Sequence, residues 1–435
     1  MSTATPPIAI GRLEASAPRP STGLAPVAPD ERLHALDMLR GWALFGVLWS
    51  NLNDWYGTAK PVTTLDRALS WSQDYLIDSR FYGLLILLFG IGFGIQLVRA
   101  TSRSIDVRNT YYRRSAVLLV IGVIHGCLIW NGDILTTYAL VSFALVMFRT
   151  ATNRQIVIAA GLLYFVGQWI VLDLTFLAGL RYPVMSGNWE FVFAHGSWLE
   201  IQHARVDYYL LWLGRYGLRS YVTILASFLV GLWTVRSGYL RRVIEIPAST
   251  RRLLIVAAIV TAVGYATDAY ADVLWPAPQA PAGFQPHFPF PYFQLTILRR
   301  AALNVLGWSY IGGAVAYACV LLLLWQRPAG AWLLRPLAAT GRMGLTTYLT
   351  QSVACTLLFY GYGFGLFGHV GFAGMLGISL VLYGCQMAMS TWWLKRFRFG
   401  PTEWLWRKLT YGEVPPMRLA VPNVTFGWRG QREAS

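Results

Sequence analysis

Charge is what this chain has least of. Asp, Glu, Lys and Arg make up 13% of its 435 residues, about half the share usual in a soluble domain. Acids are scarcer than bases, 20 against 36, so the formal net charge is +16. That excess has no long Lys/Arg cluster and no nucleic-acid reader motif behind it, which argues against nucleic acid as a partner. Only four cysteines occur, Cys127, Cys319, Cys355 and Cys385. All lie in apolar segments, and their spacing fits neither a zinc site nor a disulfide framework. A His-Glu-x-x-His pair, a Walker loop, a dinucleotide fingerprint and a Gly-x-Ser-x-Gly elbow are missing. No internal repeat is visible, so a transporter built from two related halves gains no support.

What the chain has instead is apolar surface: 55% of it is hydrophobic, with 19 Trp and a mean hydropathy of +0.45. Apolar runs recur at 36–53, 81–98, 115–130, 133–148, 155–177, 210–235, 253–273, 302–325, 343–361 and 371–394. Runs of this length match the roughly 30 Å of a bilayer's hydrocarbon core. They predict an all-α, polytopic transmembrane helical bundle of about ten spans, with nine to eleven as the range. The start of the sixth is the least defined, because Gly214 and Gly217 permit a bend there. With the N-terminus inside, Arg32 and Arg40, Arg99 through Arg114, Arg236 through Arg252 and the bases from Lys395 onward all fall on one side. The positive-inside rule then predicts both termini cytoplasmic in a multi-pass protein of the bacterial cytoplasmic (inner) membrane.

Four regions follow. Residues 1–30, rich in Ala, Pro, Ser and Thr, read as a disordered cytoplasmic tail. Residues 31–398 form the transmembrane helical domain, 399–413 an interfacial helix and 414–435 a cytoplasmic tail. The interfacial helix is predicted from Gly400-Pro401-Thr402-Glu403-Trp404-Leu405-Trp406-Arg407-Lys408, with proline and acid in its first turn and bases toward its end. Residues 181–205 and 275–291 read as the longer outer connections.

The candidate chemistry lies where polar residues interrupt the spans. His125 is the only histidine within an apparent span; an intramembrane imidazole needs a hydrogen-bond partner and can carry a proton near neutral pH. Trp130-Asn131-Gly132-Asp133 folds the chain back tightly, so Asp133 either caps the next helix, orients His125, or does both. Asn51, if it faces inward from the first span, and Arg80, at the outer start of the second, complete a possible catalytic set. Asp37 and Arg40, three apart on one helix face, form an ion pair or receive an anionic group of a cytoplasmic donor. Arg342 is a second candidate for that donor, and Tyr348 and Gln351 bring polarity into the ninth span as substrate-binding candidates. Glu200 and His203 have metal-ligand spacing, but a single copy is too little for a metal centre.

Taken in order, the segments resemble the YeiB-like (DUF418) family of bacterial membrane proteins. The resemblance rests on Leu36-Asp37-Met38-Leu39-Arg40-Gly41, Leu88-Phe89-Gly90-Ile91-Gly92-Phe93, Gly122-Val123-Ile124-His125, Trp130-Asn131-Gly132-Asp133, Gly341-Arg342-Met343 and Gly400-Pro401-Thr402-Glu403-Trp404. The first of these is also similar to the opening of the wider transmembrane acyltransferase clan. That resemblance implies acyl transfer, often from a cytoplasmic thioester to an acceptor at the opposite face, through a membrane-embedded histidine. Relatives with acetyltransferase activity carry that histidine after the first span, whereas this chain has none between Asn53 and Phe81; the assignment to His125 comes from the residues alone. The expectation is an acyltransferase with no permanently bound cofactor, acyl-CoA as co-substrate, membrane lipid around it, and a small-molecule, lipid or glycan acceptor. A transporter of a small anionic or amphipathic compound and a noncatalytic membrane scaffold are the alternatives.

Overall fold

The polar residues at both ends of the first apolar run do not stop it from forming one helix, α1 (His34–Trp55). In the computed structural model, which describes residues 33–57, 59–61, 63–77, 79–167, 189–274 and 297–419, every named element is helical. Among the described residues the only bridge pairing is an isolated one between Phe397 and Arg418. The 1–30 tail and the 275–291 connection lie outside those residues, as does 414–435 from 420 onward.

After α1 comes a short amphipathic helix, α2 (Thr64–Ser72), closed at its start by a Thr63–Asp66 capping box. It is followed by α3 (Arg80–Ser102), α4 (Arg108–Leu128), α5 (Leu135–Leu145) and α6 (Asn153–Leu162). The stretch expected as an outer connection, 181–205, is substantially helical where it is described: α7 (Trp189–His195) and α8 (Trp198–Leu211) occupy it. Ser197 and Glu200 form a capping box that starts α8, so Glu200 serves the helix end and is held below its usual pKa by the Ser197 hydroxyl and amide. Next stand α9 (Gly217–Arg236), α10 (Tyr239–Glu245), α11 (Pro247–Leu274) and α12 (Ile297–Trp325). The chain ends its described part with α13 (Pro328–Arg342), α14 (Gly344–Phe359), α15 (Phe372–Trp393) and α16 (Pro401–Tyr411).

Four stretches among the described residues are long and apolar enough to cross a bilayer: the one containing α3, and those of α11, α12 and α15. The pair α9–α10, bent by 73°, makes a fifth if read as one broken span. The other predicted runs are helical where described, but they carry buried polar groups or are short. α5 has 11 residues and α14 has 16. Residues 328–342, which fall in no predicted run, form α13, and α14 begins at Gly344, next to the expected start of the ninth run at 343.

α1 is the shared wall of two cores. Its first half packs Met38 and Ala43 against Leu84 and Leu88 of α3 and Ala314 and Ala318 of α12. Its second half packs Leu48, Leu52 and Tyr56 against Tyr348, Cys355 and Phe359 of α14. A third core joins α3, α4, α5 and α9 through Phe93, Tyr111, Leu145 and Phe228. Where α1 meets α13 the backbones themselves touch: a Cβ on Gly341 would lie 1.9 Å from the Asp37 carbonyl oxygen, and one on Gly41 2.0 Å from that of Leu337. Only glycine permits that approach, as small residues do at helix crossings in membranes.

Candidate functional site

His125 is placed by the last turn of α4 and Asp133 by the turn into α5. Both are 1% exposed. His125 Nδ1 lies 2.8 Å from Asp133 Oδ1. A carboxylate accepts, so Nδ1 donates, and the neutral ring then carries its lone pair on Nε2. Among the described residues Nε2 is buried without a hydrogen-bond partner. The other Asp133 oxygen, Oδ2, accepts the Thr136 backbone N–H at 2.8 Å. Asp133 is thus both a cap for α5 and the orienter of His125, so the two readings of its position in the sequence are true together.

Two further helices enclose the pair. The Tyr348 ring of α14 lies 5.1 Å from the imidazole, centre to centre, and its hydroxyl accepts the Ile134 N–H at 3.3 Å. Tyr209 of α8 bonds the Thr136 hydroxyl at 2.7 Å, and Gly126 leaves room for the Tyr209 ring, which a Cβ would meet at 2.3 Å. Trp130 covers another side and stacks on Tyr56 at the end of α1, 5.8 Å between ring centres.

Beside this pair, a small cavity is lined by Asn51, Tyr56, Tyr348, Gln351, Ser352 and Cys355. It has room for about one water molecule. The structure therefore brings Asn51, Tyr348 and Gln351 together, with Tyr348 shared between the cavity and His125. Asn51 also accepts from the Tyr82 hydroxyl, and Gln351 donates to Gln386 at 3.0 Å.

The remaining candidates lie elsewhere. Arg80 is buried, but its guanidinium sits over the rings of Tyr265 and Tyr310, 5.2 and 5.4 Å from their centres. That places it against α11 and α12, among aromatic rings. Asp37 and Arg40 form the expected i,i+3 pair, Nη1 to Oδ1 2.8 Å, with the Arg40 side chain 34% exposed. Arg40 runs past Gly344, and Arg342 donates to the Arg398 carbonyl at 2.5 Å. Both arginines thus meet at the corner between α13 and α14. From Arg40 to Tyr56 α1 runs roughly 24 Å at 1.5 Å per residue, so the ion pair and His125 stand at opposite ends of that helix.

Two buried polar residues were not singled out from the sequence. Arg205 is fully buried on α8; it donates to the Leu128 carbonyl and to Gln202 Oε1, each at 2.7 Å, and so covers the carbonyl end of α4 next to His125. The helical spacing of Gln202, Arg205 and Tyr209 was the available signal, hidden by treating the segment as a connection. Glu403 is the other. Its side chain leaves α16 and accepts the Leu345 and Thr346 N–H groups of α14 at 2.6 and 2.9 Å.

An all-helical fold with several apolar spans and a buried imidazole–carboxylate pair defines a protein of the membrane type. Residues 234–413 match the family model described as "Protein of unknown function (DUF418)". The chain is 29% identical over 429 residues to the "Uncharacterized protein YxaH" of Bacillus subtilis (strain 168), covering 91% of this chain and 98% of that one. It is 29% identical over 415 residues to the "Uncharacterized protein YeiB" of Escherichia coli (strain K12), covering 89% and 98%. A Bacillus acidopullulyticus "Uncharacterized 39.9 kDa protein in amylase 3'region" is 26% identical over 406 residues, covering 91% and 98%. Over its C-terminal 234–413 the chain is thus similar to the DUF418 family, and over most of its length to YxaH and YeiB. His125 and Asp133 precede the matched family segment and fall to the longer pairwise likeness alone.

Proposed function

We propose that the protein is an acyltransferase embedded in the bacterial cytoplasmic membrane, moving an acyl group from a thioester to a hydroxyl or amine acceptor. One observation carries the reading: a fully buried histidine whose Nδ1–H is fixed on a carboxylate and whose Nε2 is unpartnered. A base must present a free lone pair in a fixed tautomer, and a carboxylate behind the ring supplies that. His125 Nε2 takes the proton of the acceptor O–H or N–H. The acceptor oxygen or nitrogen then forms its bond to the thioester carbonyl carbon. As the tetrahedral intermediate collapses, the C–S bond breaks and the leaving thiolate takes the proton back from Nε2. Asp133 stabilises the imidazolium between those steps. The Asn51 amide and Tyr348 hydroxyl, at the cavity beside the ring, are the nearest candidates to hold the oxyanion, and Gln351 to orient the acceptor.

In this reading the chain crosses the membrane about ten times with both termini cytoplasmic. Arg40, with Asp37 beside it, and Arg342 receive the phosphate groups of a cytoplasmic donor such as acyl-CoA at the α13–α14 corner. The roughly 24 Å along α1 is the distance the donor's thioester arm bridges. Arg80, packed on Tyr265 and Tyr310, is left out of the reacting set.

The test is turnover by purified protein in proteoliposomes, using a panel of acyl-CoA donors and hydroxyl or amine acceptors. His125→Ala is expected to lower it by about 100-fold or more, with folding checked by circular dichroism. Unchanged turnover in that variant rejects the assignment. Flux of a compound across the vesicle with no change in its covalent structure supports the transporter alternative instead.

A further inference from the structure

The carboxylate of Glu403 reaches beyond the helix that carries it, to the first turn of α14. α14 begins at Gly344 with no side-chain cap of its own, since Met343 precedes it. The first N–H groups of a helix have no intrahelical acceptor. Here Glu403 supplies one from α16: Oε1 accepts Leu345 and Thr346 N–H at 2.6 and 2.9 Å, and Oε2 accepts the Thr346 hydroxyl at 2.5 Å. The capped turn is the one from which Tyr348 projects, three residues after Leu345. The same short helix is fixed to α4 by its other side. Trp406 Nε1 donates to the Arg114 carbonyl at 3.1 Å, and the Arg114 guanidinium lies 4.2 Å from the centre of the Trp406 ring. Arg114 stands three turns before His125 on α4. α16 is therefore a bracket across the two helices whose side chains meet at the imidazole.

We propose that Glu403 is a positioning residue that holds the first turn of α14, and through it Tyr348, against His125. This rests on the reading of His125 as the reacting base, but the contact it sets is measurable without any reaction. Removing the carboxylate takes the acceptor from two backbone N–H groups at once and leaves the Thr346 hydroxyl with Thr402 alone. The first turn of α14 then frays, the Tyr348 ring withdraws, and the imidazole becomes accessible while the rest of the bundle stays closed.

The experiment follows carbethoxylation of His125 by diethyl pyrocarbonate, read by peptide mass spectrometry on full-length protein in detergent. Maleimide labelling of the buried Cys319, on α12, reports general opening in the same samples. Glu403→Ala is expected to raise the His125 rate about tenfold with the Cys319 rate unchanged. Glu403→Gln, which keeps a carbonyl acceptor, falls between Ala and the wild type. Should the Ala variant fail to fold, Glu403→Gln together with deuterium exchange at the Leu345–Tyr348 amides carries the test. An unmoved His125 rate overturns the proposal, and so does a rise matched by Cys319, because either outcome removes the specific coupling. If His125→Ala retains turnover while Glu403→Ala exposes His125, the catalytic reading fails and the bracket stands. If His125→Ala abolishes turnover while the Glu403 variants leave the His125 rate unmoved, the reverse holds.

Discussion

Two of the acid–base pairs among the described residues differ in what surrounds them. Asp37 and Arg40 belong to one helix, three residues apart, with the guanidinium about one-third exposed. His125 and Asp133 come from opposite sides of a turn, are 1% exposed, and are held by α4, α5, α8 and α14 together. The first pair forms wherever the helix forms, because i and i+3 side chains are neighbours on any helix. A single turn brings the second together, but it is buried only when four helices close around it. A pair that needs the whole fold to bury it is the better mark of a site, because burying an imidazole and a carboxylate is costly unless they satisfy each other.

That comparison is sharpest if one partner of the buried pair is removed. Asp133→Ala strips His125 Nδ1 of its acceptor and the first turn of α5 of its cap, and is expected to cost about 3 kcal/mol or more, read by denaturant unfolding in detergent. Its turnover should fall with that of His125→Ala. A loss below about 1 kcal/mol would mean the pair is not held as described.

The next largest effect attacks the platform of the exposed pair. Gly341→Ala forces a Cβ onto the Asp37 carbonyl, and backbone cannot give way as a side chain can. A loss of about 1 to 3 kcal/mol is expected, visible as a lower Tm, with the carbethoxylation rate of His125 unchanged.

Glu403 gives a smaller, pH-dependent effect. Burial pushes its carboxyl above the usual 4.5, only partly opposed by the hydrogen bonds from Thr346 and Leu345. A raised folded-state pKa means the native protein binds the proton more tightly than the unfolded chain. The linked stabilisation is complete below the unfolded value and is lost as pH rises through the folded one. Glu403→Gln has no such proton, so its Tm should lack the decline that the wild type shows on going upward from about pH 4.5. Parallel Tm profiles for the two proteins would remove Glu403 as the cause.

Arg40→Ala should be the mildest for stability, below about 1 kcal/mol, because a partly exposed ion pair on one helix is worth little. Its effect is expected in the donor's KM, with kcat nearly unchanged if the guanidinium binds phosphate in ground and transition states alike. A fall in kcat alone would place Arg40 nearer the chemistry than the structure does.

How much of this was legible beforehand varies residue by residue. The Asp37–Arg40 pair could be read from spacing, and the turn at Trp130-Asn131-Gly132-Asp133 gave the proximity of Asp133 to His125, because an eight-residue separation across a tight reversal leaves few other arrangements. A helix end fixes depth but not direction around the bundle, so the sequence puts Arg80 at the start of the second run without showing that it packs on Tyr265 and Tyr310. Glu403 reads as an ordinary first-turn acid of α16, since nothing in its neighbours tells that the carboxylate serves α14. Arg205 closes a stretch, 181–205, that reads as a connection because its apolar content is too low to stand out among the spans.

By itself the sequence determined the all-helical, membrane-type character of the chain and the pairs within one turn or one helix. Both follow from local rules: the hydrocarbon length that an apolar run matches, and the 3.6-residue period that sets neighbours on a face. Only the tertiary structure decided that Tyr348, Tyr209 and Glu403 act on elements far from them in sequence. Those contacts depend on which helix lies beside which and at what rotation, and that is fixed by close approaches such as Gly41 to Leu337, not by any periodicity along the chain.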